Sequence, residues 1–352
     1  MFDYMTRYRY KKVVLCQSAD VGLKAVIAIH STTLGPAAGG TRMWTYPSEA
    51  DAILDAMRLA RGMTYKYAAA GVDLGGGKCV IMGDPRTEKT EGLLRALGRF
   101  IQSLGGEFLT GEDVGTTLDD MEILASECDY VVTLPEHAGG AGPIAPATAF
   151  GVLEAMKACC REVYGDGDLK KRRVALQGLG AVGSEMLKLL AAQGAEAVVT
   201  DIDRDKVEWA RRETGARAVA PEAIYQEPCD IFCPCALGGI LNDEVLPKLR
   251  CRIVCGSANN QLWEERHGDE LSQRGILYAP DYIANAGGTI FDTDRLRKGG
   301  FNRQRAMHNV ARIGQTMERL IALSKRGGTP TYVAADHLAE TRLAMKEKVR
   351  LI

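Results

Sequence analysis

The chain has 352 residues, 46% of them apolar and 25% charged, with a formal net charge of −1. That length predicts about two globular domains. The balanced charge gives no reason to expect nucleic acid or an anionic membrane as partner, and no run of roughly 18 apolar residues is present to span a bilayer.

The opening residues, MFDYMTRYRYKK, carry no apolar core and no cleavage signal, so a cytoplasmic location is expected. VVLCQSADVGLKAVIAIHSTTLGP predicts two strands joined by a turn at Asp20, Val21 and Gly22. SEADAILDAMRLARGMTYKYAAAG predicts a helix capped by Ser48, with Glu49 and Asp51 in its first turn. KCVIMGDP reads as a short buried strand, EGLLRALGRFIQSLGG as an amphipathic helix, GEFLTGEDVG as strand into loop and TLDDMEILASE as a short capped helix. The Gly/Pro-rich segment 137–146 is the candidate domain boundary.

A long helix follows in ATAFGVLEAMKACCREVYG. From Arg173 strands and helices alternate: RVALQ, AVGSEMLKLLAAQ, EAVVT, RDKVEWARRETG, CDIFCPCA, CRIVCGSA and ILYAPDYIANAGG. That alternation implies a mostly parallel sheet covered on both faces. The tail predicts two helices, FNRQRAMHNVARIGQTMERLIALSKRGG and TYVAADHLAETRLAMKEKVR. Cys229, Cys233, Cys235, Cys251 and Cys255 are spaced unlike paired CxxC knuckles and sit in strand-like runs. They read as buried small hydrophobes, so no metal is expected, and all ten cysteines of the chain read as reduced thiols.

Two constellations carry chemistry. Gly178-x-Gly180-x-x-Gly183, with Ala181 and Val182 between the last two glycines, follows strand RVALQ and opens a helix. This is the context of a dinucleotide site: a tight turn, close approach to pyrophosphate, and a helix N-terminus facing the phosphate charge. Asp201 stands 23 positions after Gly178, where a ribose-hydroxyl acceptor belongs, and Asp203 adds negative charge that disfavours a 2′-phosphate, so NAD is expected over NADP. The second constellation is Lys66 and Lys78 in GMTYKYAAAGVDLGGGKCVIM. A phosphate loop would need Gly at Val72 and Ser or Thr at Cys79, so that reading is rejected. A lysine beside glycines and a buried strand, near a second cation, loses proton affinity and becomes a general base, while the other holds a carboxylate.

The stretches LGPAAGGTRMW, GMTYK, GGGKCVIMGDP, GEDVGTTLDDM, PATAFGV, QGLGAVG, CPCALGG, GSANNQL and YAPDYIANAGG occur in order between about residue 30 and residue 290. On these motifs the chain resembles the glutamate/leucine/phenylalanine/valine dehydrogenase family, and within it the leucine and phenylalanine branch. The resemblance implies a substrate-binding and oligomerisation domain with a mixed sheet over 1–140, joined by a C-terminal helix at about 330–352. It implies a Rossmann-type NAD-binding domain over 141–329, an active-site cleft between the two, and a homo-oligomer. The implied reaction is oxidative deamination of a hydrophobic L-amino acid to 2-keto acid and ammonia. By motif, Lys66 binds the α-carboxylate, Lys78 is the general base and Asp113 handles protons at the amine. Gly39, Gly40, Met63, Ala38, Gly111, Asn259, Ile283 and Ala284 line the substrate site, and Thr148, Ala236, Ala258, Asn259 and Asn285 contact the coenzyme. Ala38 offers no cation for a side-chain carboxylate, which argues against glutamate. Ala38 and Gly111 are both smaller than the usual residues of the leucine enzymes, and each is expected to enlarge the pocket. Leucine-type, branched-chain specificity is the expectation, with phenylalanine-type specificity the alternative close behind it and a non-catalytic NAD-binding regulator the remote one.

Overall fold

The computed structural model describes residues 1–350, and residues 351–352 of the expected terminal helix lie outside them. The chain forms two compact units, 1–143 with 292–303 and 339–352, and 144–291 with 304–338. This division breaks at Pro143/Ile144 and counts the segment 292–303 with the first unit.

The first unit opens on a short helix that the sequence reading missed, α1 (Phe2–Tyr8), closed by Arg9 in the left-handed conformation at φ 58°. Its strands are β1 (Lys12–Ser18), β2 (Leu23–Ser31), β3 (Ala37–Trp44), β4 (Gly75–Met82) and β5 (Phe108–Glu112). They form a mixed sheet in the order β1-β2-β4-β3-β5, with β2 antiparallel to β1 and β4, and β3 parallel to β4 and β5. The expected turn between β1 and β2 is present, ending on Gly22 at φ 68°. Helix α2 (Glu49–Ala70) starts at Ser48, whose hydroxyl accepts the Asp51 N–H. Helices α3 (Glu91–Ser103) and α4 (Leu118–Ala125) are capped in the same way by Thr90 and Thr117.

Strand alternation sends side chains to two separate cores. Ile27, Ile29, Met43, Cys79, Ile81 and Phe108 pack with Leu93, Leu97, Ile101, Met121 and Leu124 of α3 and α4. On the other face, Val26, Ala28 and Val80 meet Ala52, Ala56, Met57 and Ala60 of α2. The i, i+4 row of small residues on α2 lets the helix sit against bare strand backbone at Gly76. A Cβ there would lie 2.1 Å from Thr64 Oγ1 and 2.4 Å from the Ala60 carbonyl oxygen. The three glycines before Lys78 therefore belong to the strand, and one of them is the seat of the helix. The C-terminal end of α2 is capped from far along the chain: Arg342 donates to the carbonyls of Tyr67, Ala68 and Val72, each at 3.0 Å, and pairs with Asp73.

The second unit holds β6 (Arg173–Gln177), β7 (Glu196–Thr200), β8 (Arg217–Ala218), β9 (Ile231–Pro234), β10 (Ile253–Val254) and β11 (Leu277–Tyr278). All pair in parallel, in the order β11-β10-β9-β6-β7-β8, with α5 (Ala145–Tyr164) ahead of β6 and α6 (Ala181–Ala192), α7 (Arg204–Thr214) and α8 (Glu265–Gln273) among the connections. The strand order reverses between β6 and β9. Two short helices follow β11, α9 (Asp281–Ala284) and α10 (Gly287–Asp292). The first expected tail helix is two, α11 (Arg303–Ala311) and α12 (Ile313–Gly327), parted at Arg312. In α13 (Thr331–Arg350), Thr331 donates to the Tyr278 carbonyl. Both units are α/β, one mixed and one parallel, as the sequence predicts. Among the described residues no helix is long and apolar enough to cross a membrane.

The seat of α2 yields a test. Gly76→Ala drives a methyl into helix backbone and is expected to cost roughly 1–3 kcal/mol or more, the range of core overpacking. Gly62→Ala, on the exposed face of the same helix with nothing within 4 Å of the added carbon, is expected to stabilise by about 0.5–1 kcal/mol. Urea unfolding of both variants measures the pair.

Candidate active site

Lys78 lies on β4, between β2 and β3, and is buried at 4% exposure. Its ammonium donates to Asp113 Oδ2 at 3.0 Å, and Arg42 Nε donates to the same oxygen at 2.8 Å. Arg42 also pairs with Asp55 at 3.2 Å, which accepts the Tyr46 hydroxyl. Burial pushes the Lys78 ammonium below its usual range. Asp113 works against that shift, and the Arg42 guanidinium reinforces it. For Asp113, burial alone would raise the carboxyl, but Lys78 and Arg42 together outweigh it and hold the group low. The cluster is thus an ionised carboxylate shared by two cations, one of them predisposed to give up its proton.

Arg42 was missed by the sequence reading, although it lies within GTRMW. Its position on β3 is fixed by register, which places Arg42 opposite Val80 of β4, while Gly40 lies opposite Gly111 of β5. The loop after β5 is held by Thr116, whose hydroxyl accepts the Asp113 N–H at 3.0 Å and donates to the Thr41 carbonyl at 2.8 Å. Gly40 has a steric reason: a Cβ there would be 2.7 Å from the Asp113 Cβ. Gly39 is equally confined, 1.8 Å from the Gly77 carbonyl oxygen and 3.3 Å from Met63 Cγ of α2. Lys66 is half-buried on α2, one turn beyond Met63. Ala38 is buried in an apolar cluster with Tyr67, Leu74, Leu109 and Val132, against which Met63 packs.

At Gly111 the structure corrects the sequence reading. The missing side chain does not leave room, because a Cβ there would lie 2.3 Å from Thr133 Oγ1. Thr133 in turn donates to Asp292 Oδ2 at 2.6 Å. The space expected to enlarge the pocket is filled by a hydroxyl from the segment after β5.

In the second unit the glycine turn leaves β6 at the point where strand order reverses, the usual location of a ligand crevice in an open parallel sheet. Gly178 has φ 93°, and its added Cβ would be 2.9 Å from Ala236, which follows β9. Gly183 faces the Gly178 carbonyl oxygen at 2.0 Å by the same measure. At Gly180, the cap of α6, nothing lies within 4 Å, which leaves an open approach to the amides of Ala181 and Val182. Asn285 donates to Asn259 Oδ1 at 2.6 Å and to the Ser257 carbonyl at 3.1 Å. The Ala258 N–H bonds to the Pro234 carbonyl. Thr148 lies near the start of α5, donating to Ile144, where Gly288 packs on it. Ile283 and Ala284 are buried in α9.

Asp201, expected from its spacing to meet a ribose, is bonded here to backbone N–H groups. Oδ2 accepts the Leu179 N–H at 2.5 Å and Oδ1 accepts the Asp203 N–H at 2.8 Å. Asp203 caps α7 through the Asp205 N–H. Among the described residues no group of three or more His, Cys, Asp or Glu side chains is placed to hold a metal ion.

A buried lysine–carboxylate–arginine cluster and a nucleotide-type glycine turn thus occur in one chain of two α/β units. Two family profiles match it. That of the Glu/Leu/Phe/Val dehydrogenase dimerisation domain covers residues 10–130, and that of the glutamate/leucine/phenylalanine/valine dehydrogenases covers 139–205 and 200–293. The chain is 53% identical over 350 residues to leucine dehydrogenase of Thermoactinomyces intermedius, covering 99% of this chain and 95% of that one. It is 48% identical over 338 residues to valine dehydrogenase of Streptomyces coelicolor, covering 95% and 92%. Among solved structures, L-tryptophan dehydrogenase from Nostoc punctiforme aligns with a TM-score of 0.84 at 41% identity, covering 98% and 99%. The chain belongs to the glutamate/leucine/phenylalanine/valine dehydrogenase family and is an amino-acid dehydrogenase dependent on a pyridine nucleotide.

The double hydrogen bond of Asp201 predicts that Asp201→Ala loosens the glycine turn. Hydrogen bonds to a charged group contribute about 1.5–3 kcal/mol, so coenzyme affinity is expected to fall on the order of 10- to 100-fold. Fluorescence titration of the reduced coenzyme reads this directly.

Proposed function

We propose that this protein catalyses reversible, NAD-dependent oxidative deamination of hydrophobic L-amino acids, branched-chain substrates leading, to the 2-keto acid and ammonia. The observation that carries the reading is the Lys78–Asp113–Arg42 cluster in a chain of this family. The coenzyme would be held by the turn at Gly178, Gly180 and Gly183, by the amides of Ala181 and Val182, and by Thr148, Ala236, Ala258, Asn259 and Asn285. When bound, it supplies the two-electron acceptor for oxidation at Cα. Asp201 and Asp203 put two carboxylates beyond β7, which supports NAD over NADP.

The protein's own groups handle binding and protons. Lys66 holds the α-carboxylate. Asp113 orients the amine, and its shared contact with Lys78 gives the proton a short path. Lys78, neutral in the working form, takes a proton from the water that adds to the iminium carbon. Collapse of the resulting carbinolamine, with a proton delivered to nitrogen, releases ammonia and leaves the keto acid. The dimerisation-domain match and the exposed Leu15 on edge strand β1 support a homo-oligomer. Phenylalanine is the second substrate reading, favoured by the small side chain of Ala38, whereas Gly111 adds no room.

Lys78→Ala is expected to lower kcat about 10²- to 10⁴-fold, the usual span of general acid–base catalysis, with substrate binding largely retained. Arg42→Gln removes a neighbour that depresses the Lys78 ammonium. The acidic limb of the kcat/KM–pH profile should therefore move to higher pH. A limb that stays in place or moves down removes Lys78 from the base role.

Leucine, valine, isoleucine, phenylalanine and glutamate, each assayed with NAD and NADP, test specificity. Turnover is expected with the apolar substrates and about tenfold or better kcat/KM with NAD. Glutamate should be inert, because Ala38 offers no cation to an otherwise unpaired buried carboxylate. Efficient glutamate turnover overturns the branch assignment.

A further inference from the structure

The last residue of α10, Asp292, brings a carboxyl group into the first unit that the mechanism above does not use. Asp292 is buried at 6% exposure. Its Oδ2 accepts the Thr133 hydroxyl at 2.6 Å, while Oδ1 is buried with no hydrogen-bond partner. Burial lifts its carboxyl to about 6, Thr133 and the Arg295 guanidinium hold it down, and Glu112 adds to the rise. In the alkaline range, where amino-acid oxidation runs forward, the group is ionised. Arg295 does not take the vacant oxygen, and its Nη1 donates to the carbonyls of Val131 and Val132.

The surroundings of Asp292 are those of the proposed side-chain site. Thr133, its partner, fills the space against Gly111. The charge of Asp292 reaches the Tyr67 hydroxyl. Tyr67 lies in one apolar cluster with Ala38, Leu109 and Val132, and Met63 packs on it. Thus the two positions that set the side-chain site by family resemblance, 38 and 111, both connect through one residue to the same carboxylate. A buried acceptor left unpaired is costly, and native structures avoid it unless a ligand or water completes it. An all-alkyl side chain cannot complete it.

We propose that Asp292 ends the side-chain site and accepts a hydrogen bond from the substrate, so that among L-amino acids with side chains longer than the branched-chain ones the enzyme favours those tipped with a donor: a hydroxyl, an indole N–H or an ammonium. The inference rests on the amino-acid dehydrogenase reading and extends it to longer side chains. A site built around a substrate donor discriminates strongly against the analogue that lacks it, whereas a methylene more or less changes little.

The test compares kcat/KM for matched pairs: L-6-hydroxynorleucine and L-lysine against L-norleucine, and L-tryptophan against L-phenylalanine. L-leucine serves as the reference. The unaltered enzyme, Asp292→Val and Asp292→Asn are assayed at one alkaline pH, with thermal melts to show that each variant is folded. The largest donor-to-alkyl or donor-to-aryl ratio is expected to fall about tenfold or more in Asp292→Val. Asp292→Asn keeps the shape and an acceptor oxygen. It should retain the hydroxyl and indole substrates but lose lysine, which separates a neutral donor from a cation. A fall of less than threefold in every ratio, or a rise, overturns the proposal even though leucine is turned over. Absence of turnover with all six substrates by the unaltered enzyme would instead sink the amino-acid dehydrogenase reading, and this proposal with it.

Discussion

The shared carboxylate of Asp113 is the interaction on which the first unit is organised. A lysine and an arginine are brought into a sheet interior, where either alone would carry a large desolvation cost. One carboxylate oxygen receives both. The arrangement keeps Asp113 ionised and leaves Lys78 less basic than a free lysine, because burial and Arg42 act together against a single negative neighbour. The backbone is shaped around this pair. Gly40 makes room for Asp113, Thr116 ties its loop to β3, and Gly76 lets α2 lie against β4 so that Met63 and Lys66 are carried on the same helix.

The second unit solves a different problem with different means. A dinucleotide needs backbone N–H groups at a helix start and a close approach, not buried charge. The parallel sheet supplies both at the reversal of strand order, where Gly178 and Ala236 touch. Asp201, just past β7, has a place in the backbone of the turn itself. By accepting from Leu179 it fixes the turn. A residue read from spacing as a ligand contact is also part of the scaffold.

Small side chains at 38 and 111 do not by themselves mean an empty pocket. At 111 the volume is taken by a hydroxyl, and the hydroxyl brings a carboxylate with it. An apolar cluster bordered by a half-satisfied polar pair is a different recognition surface from an apolar cavity of the same size. The distinction lies in hydrogen-bond completeness, not in volume.

Local chemistry made much of this protein legible from its residues alone. Capping residues Ser48, Thr90 and Thr117 mark helix starts because their side chains satisfy backbone N–H groups within three residues. The glycine turn and Asp201 stand out because phosphate binding demands a fixed spacing over one strand–turn–helix unit. Lys78 stands out because a charged residue inside an apolar run asks for a reason. What the sequence could not disclose depends on pairs distant along the chain. Arg42 meets Asp113 across 71 positions, Thr133 meets Asp292 across 159, and Arg342 caps a helix some 270 residues earlier. Strand register and the return of 292–303 and 339–352 to the first unit decide those meetings. They are settled by how whole elements pack, so only the tertiary structure reveals which charges share an oxygen and which carboxylate is left with one oxygen unpaired.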